Sequence, residues 1–455
     1  MLPETNRLKV TGFKEMKKNL IVLILLLTVL PVQAKTVETM LDNGMKIIVR
    51  EDHRAPVVTS QVWYRIGSNY EYDGITGVSH VLEHMMFKGT ENLKPGEFSE
   101  IIAANGGTDN AFTFHDFTGY HQKIASDRLE ICLKLEADRM RNVIFLQQEF
   151  DKEVAVVREE RRMRVDNKPR SQLFEQFYAT AFLSSPKRIP VIGWMGDLEN
   201  MEMQDAADWY KLWYAPNNAT LVVVGDVQSD EVIRLAKQYF GGLQPSSIKP
   251  PKPRPEIQQS GERRINLIGQ TASPYLIMGY KTPVLTSDKE QKKDVYALDV
   301  LGAILDGGSS ARIARNMLRG DEIAVEAGTS YDPFDRLAGL FLFAGTPNKD
   351  VTPQQLEQAF IKEIKELQAN PVSAQELARV KAQVIASKVF ERDSMFYTGM
   401  QIGMLDSAGH DWRLMDDYVD DIRNITAADI QRVANKYFDS DQLTVATLWP
   451  QQDSK

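Results

Sequence analysis

Short runs of apolar and β-branched residues alternate with helical patterns along both halves of the sequence. Lys46 to Arg50 and Val57 to Ile66 predict two strands joined by a turn, and Val78 to Phe87 predicts a helix. From Ala111 to Tyr120, phenylalanines alternate with polar residues, which predicts one strand with an exposed face. Gln147 to Arg164 predicts a long charged helix. The mixture predicts an α+β fold, with a mostly antiparallel sheet and helices packed on one of its faces.

The ends of the two halves follow the same pattern. An Ala-Ala-Asp triplet at 206–208 begins a predicted helix, and a strand follows at 219–224. A second triplet at 427–429 begins another helix, followed by a strand at 443–448. The two triplets lie 221 residues apart, a separation that indicates a duplicated domain and not a short structural repeat.

A proline-rich segment separates the two halves. Five prolines lie between Gln244 and Gln259, and proline removes amide donors and fixes φ, so this segment is excluded as an internal helix or strand. We interpret residues 244–259 as an extended linker. It would join a first domain at 35–243 to a related domain at 260–455, each of ordinary domain size.

The N-terminus has the layout of a secretory signal. Two lysines, Lys17 and Lys18, precede an apolar run from Leu20 to Leu30, and small residues lead up to Ala34. The run is about half of the ~20 residues that a membrane-spanning helix needs, although an uncleaved anchor stays open as an alternative. We therefore expect residues 1–34 to be a signal peptide and the mature protein to be periplasmic or secreted in a bacterium, with no membrane attachment after cleavage.

Composition narrows the chemistry. The 455 residues are 43% hydrophobic and 25% charged, which is typical of globular proteins, and the formal net charge is −8. Cleavage after Ala34 removes five basic and two acidic residues and shifts that charge to −11, so nucleic acid is not an expected partner. Cys132 is the one cysteine, which excludes an intrachain disulfide and a zinc site built on several thiolates. A metal site would have to use His, Asp and Glu, and the chain has six histidines.

Two of those histidines form a metal-binding pattern. His80, Glu83 and His84 lie at positions i, i+3 and i+4, which places their side chains on one face of the predicted helix. Two imidazoles one turn apart can bind one Zn²⁺, and zinc lowers the pKa of a bound water to ~7. The glutamate can then remove a proton from that water. The pattern is H-x-x-E-H, the inverse of H-E-x-x-H.

A catalytic zinc site commonly has a third protein ligand. The charged helix at 147–164 offers carboxylates for this role, and one of its sides carries valines that indicate a buried face. Glu153 and Glu160 are seven residues apart and therefore share a face. The candidates are Glu149, Glu153, Glu159 and Glu160.

These residues resemble the inverzincin peptidases of the pitrilysin, insulysin and mitochondrial processing peptidase family. In that family a glutamate ligand follows H-x-x-E-H by about 75 residues, and here Glu160 lies 76 positions after His84. An acidic residue seven positions before the ligand is matched by Glu153. The resemblance implies that His80, His84 and Glu160 bind one zinc ion per chain, with Glu159 as the rival ligand. It also implies that Glu83 is the general base and that Glu153 supports the metal ligands without binding the metal itself.

The resemblance extends along nearly the whole mature chain and fits the compact subfamily with two such domains. Asn110, Ala111, Phe112 and Thr113 resemble the family's substrate-facing edge strand. Such a strand binds a peptide through backbone groups, which favours extended peptides or unfolded segments as substrates. An ordinary surface strand is the alternative.

One position departs from the family pattern. The family has an Arg and, seven residues later, a Tyr that assist substrate binding. Here Arg319 is followed at that spacing by Glu326, and Tyr331 comes five residues too late. The departure implies that a companion subunit without zinc supplies the tyrosine in a heterodimer, while a homodimer stays open.

The leading hypothesis is therefore an exported zinc metalloendopeptidase that hydrolyses peptides or unfolded protein segments. The alternative is a zinc-bearing assembly or binding subunit with little activity alone. The intact Glu83 favours the enzyme, and the absent tyrosine favours the alternative.

Overall fold

The chain forms two β-sheets, one in each half, in a computed structural model that describes residues 35–249, 252–286 and 288–451. The predicted signal peptide lies outside the described residues. Within those ranges, every helix is too short or too polar to cross a membrane.

The first sheet is built from the first half of the chain. Its strands are β1 Thr36–Met40, β2 Lys46–Glu51, β3 Val57–Tyr64, β4 Thr108–Thr113, β5 Thr118–Ala125 and β6 Ala219–Gly225. They lie in the order β1-β2-β6-β3-β5-β4, so β1 and β4 are the two edges. Only the β2–β6 pair is parallel among them.

The second sheet repeats this arrangement with five strands. They are β7 Arg263–Gly269, β8 Tyr275–Thr282, β9 Ala324–Ser330, β10 Gly339–Pro347 and β11 Leu443–Pro450. Their order is β7-β11-β8-β10-β9. The last strand, β11, lies parallel to the first, as β6 lies parallel to β2, and the other pairs are antiparallel.

Helices cover both sheets. Those of the first half are α1 Val78–Met85, α2 Glu97–Ala104, α3 Leu129–Arg141, α4 Gln147–Arg161, α5 Pro169–Ala181, α6 Met195–Asn200, α7 Met203–Trp213 and α8 Ser229–Phe240. Those of the second half are α9 Lys289–Asp306, α10 Pro353–Ala369, α11 Ala374–Glu391, α12 Met395–Ser407, α13 Leu414–Asn424 and α14 Ala427–Tyr437. Arg162–Asp166 and Ile313–Leu318 are π-helical.

The two strands predicted at 46–50 and 57–66 form and are joined by a turn, but the order of strands in the sheet differs from their order along the chain, and one other prediction needs correction. The strands β2 and β3 are not neighbours, because β6 lies between them; this strand is buried along its whole length, as its continuous apolar run allows. The stretch from Ala111 to Tyr120 is not one strand but the end of β4, a turn, and the start of β5. The N–H of Phe114 donates to the carbonyl oxygen of Phe117 (2.8 Å) and closes that turn.

Each sheet has helices of its own half on one face, as the sequence predicts, and its other face is covered by a helix from the opposite half. The helix α5 packs on the second sheet, where Phe177 of α5 meets Ile277 of β8 and Leu448 of β11 in one buried cluster. The polypeptide thus crosses from one half to the other before the proline-rich segment 244–259 begins.

The helix α12 makes the reciprocal contact on the first sheet. Ile402 and Leu405 of α12 share a buried cluster with Trp63 of β3. Gly403 lies against that indole so closely that a Cβ atom would stand 2.0 Å from a ring carbon. A side chain at this position would push the helix away from the sheet.

Polar contacts also join the halves. The carboxylate of Asp406, on α12, is buried and accepts hydrogen bonds from Lys46 (2.5 Å), Arg65 (2.9 Å) and Thr220 (2.6 Å), all in the first half. The described parts of the proline-rich segment, 244–249 and 252–259, contain neither helix nor strand.

Candidate metal centre

The helix that carries the H-x-x-E-H pattern is held against its surroundings at its N-terminus. Gly77 precedes the first helical residue with φ +90°, which favours glycine. A Cβ at Gly77 would also lie 2.7 Å from the carbonyl oxygen of Ile192. Val81 and Leu82 are fully buried in the core, so the two histidines and Glu83 lie on the opposite side of α1.

A buried carboxylate caps the same helix. Glu71 accepts hydrogen bonds from the backbone N–H groups of Gly77 (2.7 Å) and Ser79 (2.9 Å), and its side chain has no exposed surface. A negative group there satisfies free N–H groups and complements the positive end of the helix. Burial nevertheless raises the pKa of Glu71 to about 7.

Two helices bring the predicted ligands together. Nε2 of His80 and Nε2 of His84 each lie 3.7 Å from the same oxygen, Oε2 of Glu160 on α4. One ligand atom from each of the three residues lies within 4.8 Å of the others. Donors held tetrahedrally at about 2.1 Å from zinc are ~3.4 Å apart, so only small side-chain shifts separate the three from a zinc-binding geometry.

Neighbouring groups orient these side chains. Nδ1 of His84 lies 3.1 Å from Glu153, whose other oxygen pairs with Lys88 at 2.7 Å. The second oxygen of Glu160 pairs with Arg164 at 2.7 Å, which leaves Oε2 directed at the imidazoles. An outer carboxylate on the far nitrogen of a histidine is the usual partner of a metal-binding imidazole.

Glu159, the rival ligand, points elsewhere. Its carboxylate pairs with Arg162 at 2.9 Å and its side chain is 58% exposed, while that of Glu160 is 16% exposed. Glu149, the remaining candidate, pairs with Lys152 at 2.7 Å. The geometry therefore brings Glu160, and neither of these two, to the histidines.

The protonation of His80 fits metal binding. Burial, and then the neighbouring His84, lower the pKa of His80 to about 3, so this imidazole is neutral near pH 7. A neutral imidazole is the form that binds zinc. Its Nδ1 is buried without a hydrogen-bond partner in the described structure. Two imidazoles and a carboxylate are a donor set that zinc accepts, so the residues present fit the ion.

Glu83 lies beside this cluster, bonded to the edge strand. Thr113, the last residue of β4, donates its hydroxyl to Oε2 of Glu83 at 2.5 Å. Burial raises the pKa of Glu83, and the hydrogen bond from Thr113 opposes part of that shift. A carboxylate with a raised pKa accepts a proton more readily, which is what a general base requires.

The other predicted substrate residues fall in two places. Asn110, Ala111, Phe112 and Thr113 lie on β4, which pairs with β5 on one side and is the terminal strand on the other. Arg319 lies in the second half, where it donates a hydrogen bond to the carbonyl oxygen of Ser309.

Three contributions to the site were missed by sequence reasoning. Lys88 follows His84 by four residues, so helical spacing could have indicated it. Thr113 was predicted only as part of the edge strand, and its bond to Glu83 has no signal in the sequence. Glu71 lies in a loop and reaches α1 through space, again without a spacing signal.

Replacing Glu71 by Gln should destabilise α1 and weaken zinc binding. An amide can accept from one backbone N–H but presents its own NH₂ to the other, which leaves a buried donor unsatisfied. We expect the free energy of unfolding to fall by about 1–3 kcal/mol, and zinc affinity to fall by roughly tenfold. Urea unfolding and competition with a zinc-binding dye measure the two effects.

A matched control lies at another helix start. Glu51 accepts the backbone N–H (2.9 Å) and hydroxyl (2.6 Å) of Ser229 at the first residue of α8. Glu51→Gln should lose stability but keep zinc affinity. Equal zinc affinities for Glu71→Gln and the parent chain would show that the cap does not position the ligands.

Comparison with known proteins gives a consistent family match. A family model described as Insulinase (Peptidase family M16) matches residues 46–193, and one described as Peptidase M16 inactive domain matches residues 200–384. The chain is 31% identical over 415 residues to zinc protease PqqE of Helicobacter pylori, covering 90% of this chain and 92% of that protein. An uncharacterised zinc protease of Rickettsia bellii is 26% identical, with 90% and 96% covered.

Solved structures share the fold. The crystal structure of a protease from Helicobacter pylori aligns with a TM-score of 0.86 and 30% identity, covering 92% of this chain and 100% of that one. The first half of the periplasmic protease PqqL from Escherichia coli aligns with a TM-score of 0.77 over 91% of this chain and 92% of that one. At 20% identity the second match shows the fold alone. The predicted two-sheet α+β fold is confirmed.

Proposed function

Because the chain belongs to the insulinase family of peptidases, family M16, in its compact two-domain bacterial subfamily, we propose that it is an exported zinc-dependent endopeptidase. Its substrates are peptides or unfolded protein segments. The observation that carries the proposal is the hydrogen bond from Thr113 to Glu83. It connects an open strand edge directly to a carboxylate that lies beside the three convergent ligands.

His80, His84 and Glu160 would hold one zinc ion in this proposal. Zinc supplies Lewis acidity, which polarises a substrate carbonyl and makes water easier to deprotonate. Glu153 fixes the ring of His84 through Nδ1, and Lys88 holds Glu153 in place. These outer contacts keep the ligands pre-oriented in the absence of substrate.

Glu83 acts as the proton carrier. Thr113 occupies Oε2, which leaves Oε1 to accept a proton from the attacking water. The same oxygen can later give that proton to the departing amine of the peptide. Burial raises the pKa of Glu83 and thereby favours this exchange. In a partly dry site the neutral, protonated carboxyl group costs less free energy than the charged carboxylate.

The open edge of β4 gives the substrate its position. A peptide that adds to Asn110, Ala111, Phe112 and Thr113 as a further strand pairs through its backbone, whatever its sequence. Since Thr113 ends that strand at Glu83, the peptide bond paired near this end lies beside the base. Selection by extended conformation accounts for peptides and unfolded segments as substrates.

The second half lacks the tyrosine that the family pattern places seven residues after the arginine to assist substrate binding. Glu326 stands seven residues after Arg319 and pairs with Arg170 at 2.5 Å. Tyr331 donates its hydroxyl to the carbonyl oxygen of Pro283 at 2.6 Å and is thereby engaged within its own half. We therefore keep the companion subunit in the proposal, either a related chain without zinc or a second copy of this chain.

The same observation supports the second candidate function. A zinc-bearing subunit that contributes assembly or peptide binding, with little hydrolysis alone, also fits a chain in which no tyrosine follows Arg319 by seven residues.

We further propose cleavage after Ala34, a periplasmic or secreted location, and domains at 35–243 and 260–455 joined by the segment 244–259. The Escherichia coli protein of the same fold is a periplasmic protease.

Chelation distinguishes these functions. The purified chain should contain one zinc ion and cleave unstructured peptides, and a chelator should lower the rate by at least about 100-fold because the Lewis acid and its activated water are lost. Zinc added back should restore the rate. Circular dichroism before and after chelation controls for unfolding.

Other outcomes separate the alternatives. Cleavage that begins only when a zinc-less relative is added would place the chain in an obligate pair. A zinc-loaded chain that cleaves nothing in either condition would support the assembly subunit. Cleavage that withstands complete zinc removal would overturn the enzymatic proposal.

A further inference from the structure

A cavity in the second half is lined by positive charge. Its volume is about 580 Å³, and Arg315, Arg319 and Arg379 approach it from two chain segments, with Ser309 and Ser310 from a third. We name this set the arginine pocket. Arg315 belongs to the π-helical segment that packs against β9, the terminal strand of the second sheet, while Arg379 lies on α11.

The positive charge is balanced only in part among the described residues, where the carboxylate of Glu376 interacts with Arg312 and, more weakly, with Arg315 and Arg379. Among the described residues, no carboxylate lies within 4.0 Å of the guanidinium groups of Arg315, Arg319 or Arg379. The carboxylate that does line the cavity, that of Glu376, accepts two hydrogen bonds from Arg312 (3.1 and 2.9 Å). The chain as a whole has a formal net charge of −8, so this concentration of unpaired cations is a local exception.

The three guanidinium groups are held in place. Arg315 donates to the side-chain oxygen of Asn316 at 3.0 Å. Arg379 donates to the hydroxyl of Ser310 at 2.8 Å and to the side chain of Gln383 at 3.0 Å. Arg319 donates to the carbonyl oxygen of Ser309. These contacts use one nitrogen of each guanidinium group and leave the N–H groups of its other nitrogens for a ligand. Guanidinium forks bind carboxylates through paired hydrogen bonds, and prior orientation reduces the entropy lost on binding.

We propose that the arginine pocket binds carboxylate side chains of acidic peptide substrates. This inference rests on the proposed function, which supplies peptides as substrates, and it adds a preference that backbone pairing at β4 cannot give. A nucleic acid is disfavoured because the rest of the protein is acidic and would repel a long polyanion. A peptide with only a few acidic residues can place its negative charges at the arginines and so avoid this repulsion.

The test compares binding by two peptides that differ only in charge. One unstructured, fluorescent peptide carries glutamates and the other carries glutamines at the same positions. Anisotropy titration of the zinc-loaded Glu83→Gln chain avoids cleavage during the measurement. We expect the acidic peptide to bind about fivefold to tenfold more tightly, with the preference falling as salt rises.

Variants connect the preference to the pocket. The double variant Arg315→Gln, Arg379→Gln should reduce the ratio of the two dissociation constants to near one. Arg234→Gln is the matched control, since Arg234 is an exposed arginine on α8 paired with Glu231. It should keep the ratio of the parent chain. Melting temperature monitors folding of each variant.

The outcomes separate this inference from the proposed function. A preference for the acidic peptide that the double variant loses supports the pocket even if the zinc-loaded parent chain cleaves neither peptide. Cleavage of both peptides without any charge preference overturns the pocket and leaves the peptidase standing. Inorganic phosphate that competes while the acidic peptide binds no better than the neutral one shows a small-anion site, and tighter binding by a single-stranded oligonucleotide shows a nucleic-acid site. Either result overturns the peptide proposal.

Discussion

Glu83→Gln should abolish peptide hydrolysis while the zinc ion stays bound. Glutamine has the shape of glutamate and can still accept the hydrogen bond from Thr113, but its amide cannot accept the proton of the attacking water. General-base catalysis contributes about 10²–10⁴-fold, so kcat should fall by at least that range. Peptide cleavage rates and metal analysis of the same preparation measure the two quantities.

The control for this variant is an exposed glutamate close in sequence. Glu91 lies after α1 on the surface, and Glu91→Gln should leave both rate and zinc content unchanged. Two results would count against the assigned role. Retained cleavage in Glu83→Gln would move the base to another group, and loss of zinc would show that Glu83 acts on the ligands and not on the proton.

Glu160→Gln should lose the zinc ion itself. The variant removes the negative donor that faces both imidazoles, and the amide that replaces it is a weak ligand for zinc. Zinc affinity should fall by more than about 100-fold, the upper range for residues that only support a ligand. Activity should fall in parallel and return only partly at high zinc concentration.

The adjacent residue provides a sharp comparison. Glu159→Gln removes one negative charge from the same turn of α4, but that carboxylate is exposed and pairs with Arg162. Exposed pairs contribute little, so both stability and zinc affinity should stay near those of the parent chain. If Glu159→Gln lost zinc and Glu160→Gln kept it, the third ligand would be assigned to the wrong glutamate.

The sequence predicted the parts of the site that depend on local spacing. His80, Glu83 and His84 share a face because a helix repeats every 3.6 residues, and the helix forms where the pattern places it. The meeting of α1 with α4 is a tertiary contact, and Glu160 was identified by its separation from His84 in related proteins. Periodicity alone left four glutamates open.

Long-range order was harder to predict. The strand β6 enters between β2 and β3 from about 160 residues further along the chain, and no local pattern encodes that insertion. The helices α5 and α12 contain many apolar residues, but their sequences do not say which sheet they cover. The hydrogen bonds of Glu71 and Thr113 to α1 are equally hard to predict, since neither follows a helix or strand spacing: Glu71 accepts from backbone N–H groups and Thr113 donates to a side chain.

The reciprocal positions of α5 and α12 affect when each half of the chain can fold during synthesis. Because synthesis proceeds from the N-terminus, α5 emerges long before the second sheet that buries Phe177, and Trp63 of the first sheet stays uncovered until α12 has been made. Neither half can finish its packing alone, so exposed apolar surface persists until the whole chain has arrived. The two halves produced as separate polypeptides should therefore be poorly soluble singly and regain native structure when mixed.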